Sequence, residues 1–225
     1  MKSHAVLLIT LFFCATAAGQ VRDAPPSPPT PTPTPLIKVD LRGQFDGQRY
    51  VNEGFGFEVN LPEGWEFQNQ EVNEKFAETA SQKGKEFNAP PKAAEQSMSR
   101  TKILFIAIRP TNTRTNPIVL GMAEDVALAF NIRSARQYIE AMRLITNERS
   151  PIIFGDRITD ETINGVEFSY VGASARDPNV MADYNIRQRY YVTFKKTTAI
   201  AFIITYHSPD ELNFALEMLK TVKFK

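Results

Sequence analysis

The chain has 225 residues but only one cysteine, two histidines and one tryptophan. A single cysteine excludes an internal disulfide framework, and two histidines with one cysteine cannot assemble the usual ligand sets of zinc or copper. Charge of one sign is also missing: 26 Lys and Arg stand against 25 Asp and Glu. No net charge therefore argues for a nucleic-acid or acidic-membrane partner. The spacings G-x-x-x-x-G-K-[ST], G-x-G-x-x-G and G-x-S-x-G do not occur, so phosphate-cradling loops and a nucleophile elbow of those types are excluded. A Ser-His-acid triad would have to use His207, because His4 lies in the first few residues. There is no apolar run of the ~20 residues that a membrane-crossing helix needs.

What is present is an ordinary globular composition, 43% hydrophobic and 23% charged, with 16 phenylalanines. Residues 1–19 read as a secretory signal: Lys2, then the apolar stretch Ala5–Cys14 broken only by Thr10, then small residues to Gly19. Lipidation at Cys14 is the alternative and would leave the protein peripherally attached to a membrane, but Phe12 and Phe13 sit where a small residue is normally found. The span 20–47 is expected to be a tether. Seven of the 15 prolines fall within 24–35, where missing amide donors and fixed φ favour an extended polyproline II spacer of about 3.1 Å per residue. Residues 48–225 remain as one domain, secreted or periplasmic by this reading.

Alternation in Tyr50–Leu61 predicts a strand with Phe55, Phe57, Val59 and Leu61 on one face, ended by Pro62 and closed by Trp65. Val72, Phe76 and Ala80 predict a helix over Glu71 to about Lys85, and 88–100 reads as a loop. Thr101–Arg109 predicts a strand with Ile103, Phe105 and Ala107 on one face and Leu104, Ile106 and Ile108 on the other, so both faces must be covered. Ile118–Asp125 predicts the next strand. Ser134 with Gln137 forms a capping box for a helix carrying Ala135, Tyr138, Ile139, Met142 and Ile145. Strands follow at Ile152–Phe154, Arg157–Ile163, Val166–Ala173, Ile186–Lys195 and Thr198–Tyr206, with Asn164-Gly165 as a hairpin turn. Ser208-Pro209-Asp210-Glu211 opens the last helix, and Val222–Phe224 offers a short closing edge. Tight turns between consecutive strands imply antiparallel pairing.

The pattern Tyr50, Asn52, Phe55, Gly56, Phe57, Pro62, Gly64, Trp65, together with the hairpin and helix Tyr190–Phe224, resembles the PsbP-like superfamily over most of residues 48–225. The resemblance implies an α+β fold, an antiparallel β-sheet sandwiched between helices (α/β/α). It implies no reaction, since the superfamily includes docking proteins and a fold does not carry a function.

Candidate sites are few. Arg187, Arg189 and Tyr191 alternate on one strand face with Thr193 and form a row suited to an anion or an acidic partner; the plainer reading is an exposed face whose arginine stems cover apolar neighbours. The basic stretch Lys83, Lys92, Arg100 and Lys102 has similar weight, diluted by Glu86 and Glu95. Asp156, Asp160 and Glu161 are acidic enough for Ca²⁺ but lack an EF-hand spacing. No catalytic residue, cofactor or metal is expected. The expected role is an exported, non-enzymatic envelope module that docks on an unknown envelope protein. A carrier of a small apolar ligand or lipid is the alternative, and a hydrolase using acidic residues a more distant one.

Overall fold

The computed structural model describes residues 43–87, 100–111, 116–127, 132–145, 152–175 and 186–225. The leader, Cys14, most of the tether span and Lys92 lie outside them. Strand β1 (Gln44–Asp46) takes up the last part of the span read as tether, and pairs with β2 (Arg49–Asn52).

The remaining elements follow in chain order: β3 (Phe57–Asn60), β4 (Glu66–Phe67), α1 (Gln70–Phe87), β5 (Thr101–Ile108), β6 (Ile118–Asp125), α2 (Ala135–Ile145), β7 (Ile152–Ile163), β8 (Val166–Ala175), β9 (Arg187–Lys195), β10 (Thr198–Tyr206), α3 (Pro209–Leu219) and β11 (Lys223–Phe224). Seven strands form one sheet in the order β4-β5-β6-β10-β9-β8-β7, and four form a second, β1-β2-β3-β11. Every strand pair is antiparallel. The fold is α+β.

The large sheet has a core on each face. On one, Tyr138, Ile139 and Met142 of α2 and Phe76 of α1 pack on Ile106, Leu120, Tyr190 and Ile203. On the other, Leu212, Ala215, Met218 and Leu219 of α3 join Tyr50, Phe57 and Val59 of the small sheet over Phe105, Phe168, Phe202 and Ile204. The second covering layer is thus a helix plus a sheet, where helices alone were expected.

Three local readings are corrected by the structure. Tyr50–Leu61 is a hairpin, because the chain reverses over residues 53–56. Gly56 takes a left-handed φ of 62°, its N–H donates to the Glu53 carbonyl, and the buried Asn52 Oδ1 accepts the Phe55 N–H. The apolar spacing looks continuous because the turn happens to keep Phe57, Val59 and Leu61 in phase on the inner face.

In β5 the register shifts between Ile103 and Phe105. One extra residue in one strand resets the alternation. Leu104, Phe105 and Ala107 therefore share the small-sheet core, while Ile103 joins Ile106 and Ile108 on the other face. In α1 the inward stripe is offset: Asn73 is buried and Phe76 half-buried, while Val72 stands exposed.

The cap hydroxyls act as read, while Gln137 and Glu211 reach one residue further back than a capping box requires, to the N–H groups of Arg133 and His207. Ser134 Oγ accepts the Gln137 N–H, and Ser208 Oγ accepts the Glu211 N–H with Pro209 opening the helix. Trp65 is buried in the small-sheet core. Lys223 and Phe224 pair with Glu58 and Phe57, which ties the last strand to the first hairpin.

Candidate functional site

Strand β9 carries the candidate row. Side chains alternate across a strand, so Arg187, Arg189, Tyr191 and Thr193 face the small-sheet side while Gln188, Tyr190 and Val192 face the α2 side. Tyr191 belongs to the small-sheet core and Tyr190 to the other. Arg187 is exposed and Arg189 half-buried. The structure brings the row together, and it adds a neighbour that the one-strand reading had missed. Across the ladder Tyr170 of β8 pairs with Tyr191, and their rings stack at 4.8 Å with 28° between the planes.

The Arg189 guanidinium lies 5.2 Å from the Tyr170 ring centre and donates to the Tyr191 hydroxyl at 3.4 Å. Burial works against its charge, yet the hydroxyls of Tyr191, Tyr206 and Tyr170 outweigh it and hold its pKa above the ordinary arginine value. Burial pushes Tyr191 up to about 12, Arg189 pulling the other way. Tyr190, wholly enclosed, is pushed far above its ordinary range by burial alone. Arg189 thus lies beside the rings of Tyr170 and Tyr191. Among the described residues no ion pair includes Arg187 or Arg189. The cross-strand partner Tyr170 lies 21 positions away in sequence, and the only signal that could have found it was the alternation Phe168–Tyr170 after the Asn164-Gly165 turn.

The other candidates are dispersed. Asp160 accepts from Arg136 at 2.5 Å and from Ser169 Oγ at 2.7 Å, with Arg136 first in holding its carboxyl below the usual range. Asp156 lies 3.5 Å from Arg143, and Glu161 points to the opposite face of β7 from Asp160. No three of His, Cys, Asp and Glu gather as a metal site among the described residues. His207, the one histidine a triad could have used, has a carboxylate partner: Glu211 Oε2 is 3.0 Å from its Nδ1 and also accepts the His207 backbone N–H at 2.6 Å. Glu211 thus anchors the residue before the cap, which gives the pair a clear structural purpose at the start of α3.

A cleft of about 1030 Å³ opens at the far end of β9, between the β7–β8 hairpin, the start of α2 and β11. Its walls include Phe168, Phe194 and Phe224, but also Arg133, Asp160 and Lys195. It is a groove at a sheet end, not a chamber between sheet and helix. No helix among the described residues is long and apolar enough to cross a membrane.

No protein-family model and no curated protein matches the chain. Among solved structures, the chain is similar to a crystal structure from Bacteroides thetaiotaomicron VPI-5482, with 11% identity and a TM-score of 0.45 over 80% of this chain. It spans about half of that protein, 49%. It is also similar to the solution structure of cyanobacterial PsbP from Synechocystis sp. PCC 6803, with 12% identity and a TM-score of 0.46, covering 85% of this chain and 100% of that one. Likenesses this shallow say nothing of function.

Proposed function

We propose that the protein is an exported, non-enzymatic docking module of the cell envelope, held at a distance by its proline-rich segment, that receives an acidic partner on the face of Arg187, Arg189 and Tyr191. One observation carries the reading: Arg189 is half-buried among three tyrosines, with no carboxylate paired to it among the described residues. The tyrosines keep this cation charged without neutralising it, and a carboxylate from outside would supply the counter-ion that the face lacks. Arginine and tyrosine are also the residue types enriched where protein surfaces meet.

The alternative, a carrier of a small apolar ligand, calls for a pocket between sheet and helices; in this chain those interfaces are occupied by Tyr138, Met142, Leu212 and Met218. The docking reading therefore stands ahead.

The test is affinity capture from the envelope fraction with the full chain and with Arg189→Glu as baits. The wild type is expected to retain an acidic protein that the variant loses. Equal retention by both overturns the assignment of the face. Turnover of an ester, phosphate or glycoside substrate, abolished by one acidic substitution, overturns the non-enzymatic part.

A further inference from the structure

Strands β8 and β9 part company before either ends. Their paired register runs from Ser174↔Arg187 to Ser169↔Val192 and stops there. Beyond it β8 still holds Val166, Glu167 and Phe168, and β9 still holds Thr193, Phe194 and Lys195. Each short run keeps its outer neighbour. Val166 pairs with Ile163 of β7, and Lys195 with Thr198 of β10. Only the sides that face each other across the gap lack a register partner, and all six residues line the 1030 Å³ cleft. Backbone N–H and C=O groups along such an opening are a template for a further strand.

The walls of this notch differ in charge. The β7–β8 hairpin contributes Asp160, Glu161 and Glu167, of which Asp160 is engaged by Arg136 and Ser169. The opposite wall, formed by β9 and β11, contributes Lys195 and Lys225. Lys195 Nζ is held by the backbone oxygens of Gly56 (3.3 Å) and Lys225 (3.2 Å), 5.7 Å from the Phe224 ring centre. Neither lysine enters an ion pair within 4 Å among the described residues, although the charge of Lys225 helps, after Arg49, to hold the Glu58 carboxyl below its usual range.

We infer that the notch between β8 and β9 is an acceptor for an extended, acidic segment of a partner protein, which adds as a strand and places carboxylates against Lys195 and Lys225. The ladder groups give affinity and the lysines select the charge, as in strand addition generally. Thr193–Lys195 lie four to six residues along β9 from Arg189, about 13 to 20 Å at the usual rise. The two sites are therefore separable by mutation.

The experiment pans a phage-displayed library of linear peptides against the full chain. Enriched peptides are expected to be acidic and proline-poor, to lose tenfold or more in affinity for Lys195→Glu and for Lys225→Glu, to tighten on Glu167→Lys, and to bind Arg189→Glu as they bind the wild type. Hydrogen exchange should slow on peptide addition at amides within 166–168 and 193–195. Using two lysine variants separates a loss of contact from a local disturbance of the Gly56 turn. A library that yields no binder, binders indifferent to both lysines, or binding without amide protection overturns the inference. Binders lost only in Arg189→Glu would support the β9 face instead.

Discussion

Strands β10 and β9 are neighbours of equal length, yet they are built for different ends. β10 is paired along nearly its whole length on both sides, with β6 over Thr198–Thr205 and with β9 over Thr198–Tyr206. Its side chains from Ala199 to Tyr206 are all buried. β9 is paired in full only with β10, and with β8 from Arg187 to Val192. It carries two arginines without acids at one end and an open ladder at the other. The centre of the sheet holds the fold, and the β8–β9 border leaves polar and backbone groups available. Substitutions at the centre should therefore cost stability and leave binding alone, and those at the border should do the reverse.

The hardest test of the centre is Phe202→Ala. Phe202 is fully buried and its ring meets Phe57, Phe105 and Phe168 at 6.0–6.2 Å between centres, so it joins both sheets. Truncation removes apolar burial and leaves a cavity, at a cost of about 3–5 kcal/mol. Chemical denaturation should show a large fall in the midpoint. A loss no greater than that of a surface change would break the comparison at its root.

Gly121→Ala comes next. A Cβ at Gly121 would lie 2.5 Å from Cε1 of the Phe105 ring, and the ring is enclosed. Overpacking of this kind costs about 1–3 kcal/mol. The double change with Phe105→Leu should recover part of the loss, since coupled neighbours are not additive. Full additivity in the denaturation midpoints would mean that the ring is not what the glycine accommodates.

Tyr191→Phe sharpens the comparison at the border. The folded protein holds the Tyr191 hydroxyl at about 12 against an ordinary 10.0, so the unfolded chain ionises first. The stabilisation from keeping this phenol neutral is complete below pH 10 and is lost as pH rises from there toward 12. The variant should match the wild type near neutrality, apart from the weak Arg189 contact, and should lose less stability between pH 10 and 12. Denaturation midpoints across that range, with phenolate absorbance as a second probe, check it.

Much of the central sheet was legible because its determinants are local. Ile118–Ala123 and Ala199–Ile204 are uninterrupted apolar runs, Asn164-Gly165 is a two-residue turn with both φ positive (50° and 78°), and Ser208-Pro209 fixes where α3 starts. The small sheet was not legible as a sheet, because β11 meets β3 across more than 160 residues and no local pattern encodes that pairing. The bulge in β5 was hidden too: Ile103 and Leu104 are both apolar, so either face accepts either one. At the candidate site the arginine row was visible from alternation, but Tyr170 and the notch were not. Both depend on where the β8–β9 register runs and where it stops, which only the folded sheet determines.

The smallest expected effect is at the rim of the notch. Arg136 lies 2.5 Å from Asp160, and the pair is open to solvent, with Asp160 exposed and Arg136 half-buried, so removing it with Arg136→Ala should barely move the midpoint at neutral pH. Its signature lies in acid. Asp160 is held below its ordinary value of 3.8, first by Arg136 and then by Ser169. A lowered carboxyl pKa contributes stability that is present above the unfolded value and is lost as pH falls through the folded one. Without Arg136 the folded value rises toward 3.8 and that part of the acid sensitivity shrinks. The variant should therefore lie slightly below the wild type at pH 7 and converge with it as pH falls below 3.8 and through the lowered folded value. A difference that persists at low pH would mean that Arg136 acts by packing against β7, and the border would then be bearing structural weight that the open register of β8 and β9 says it does not.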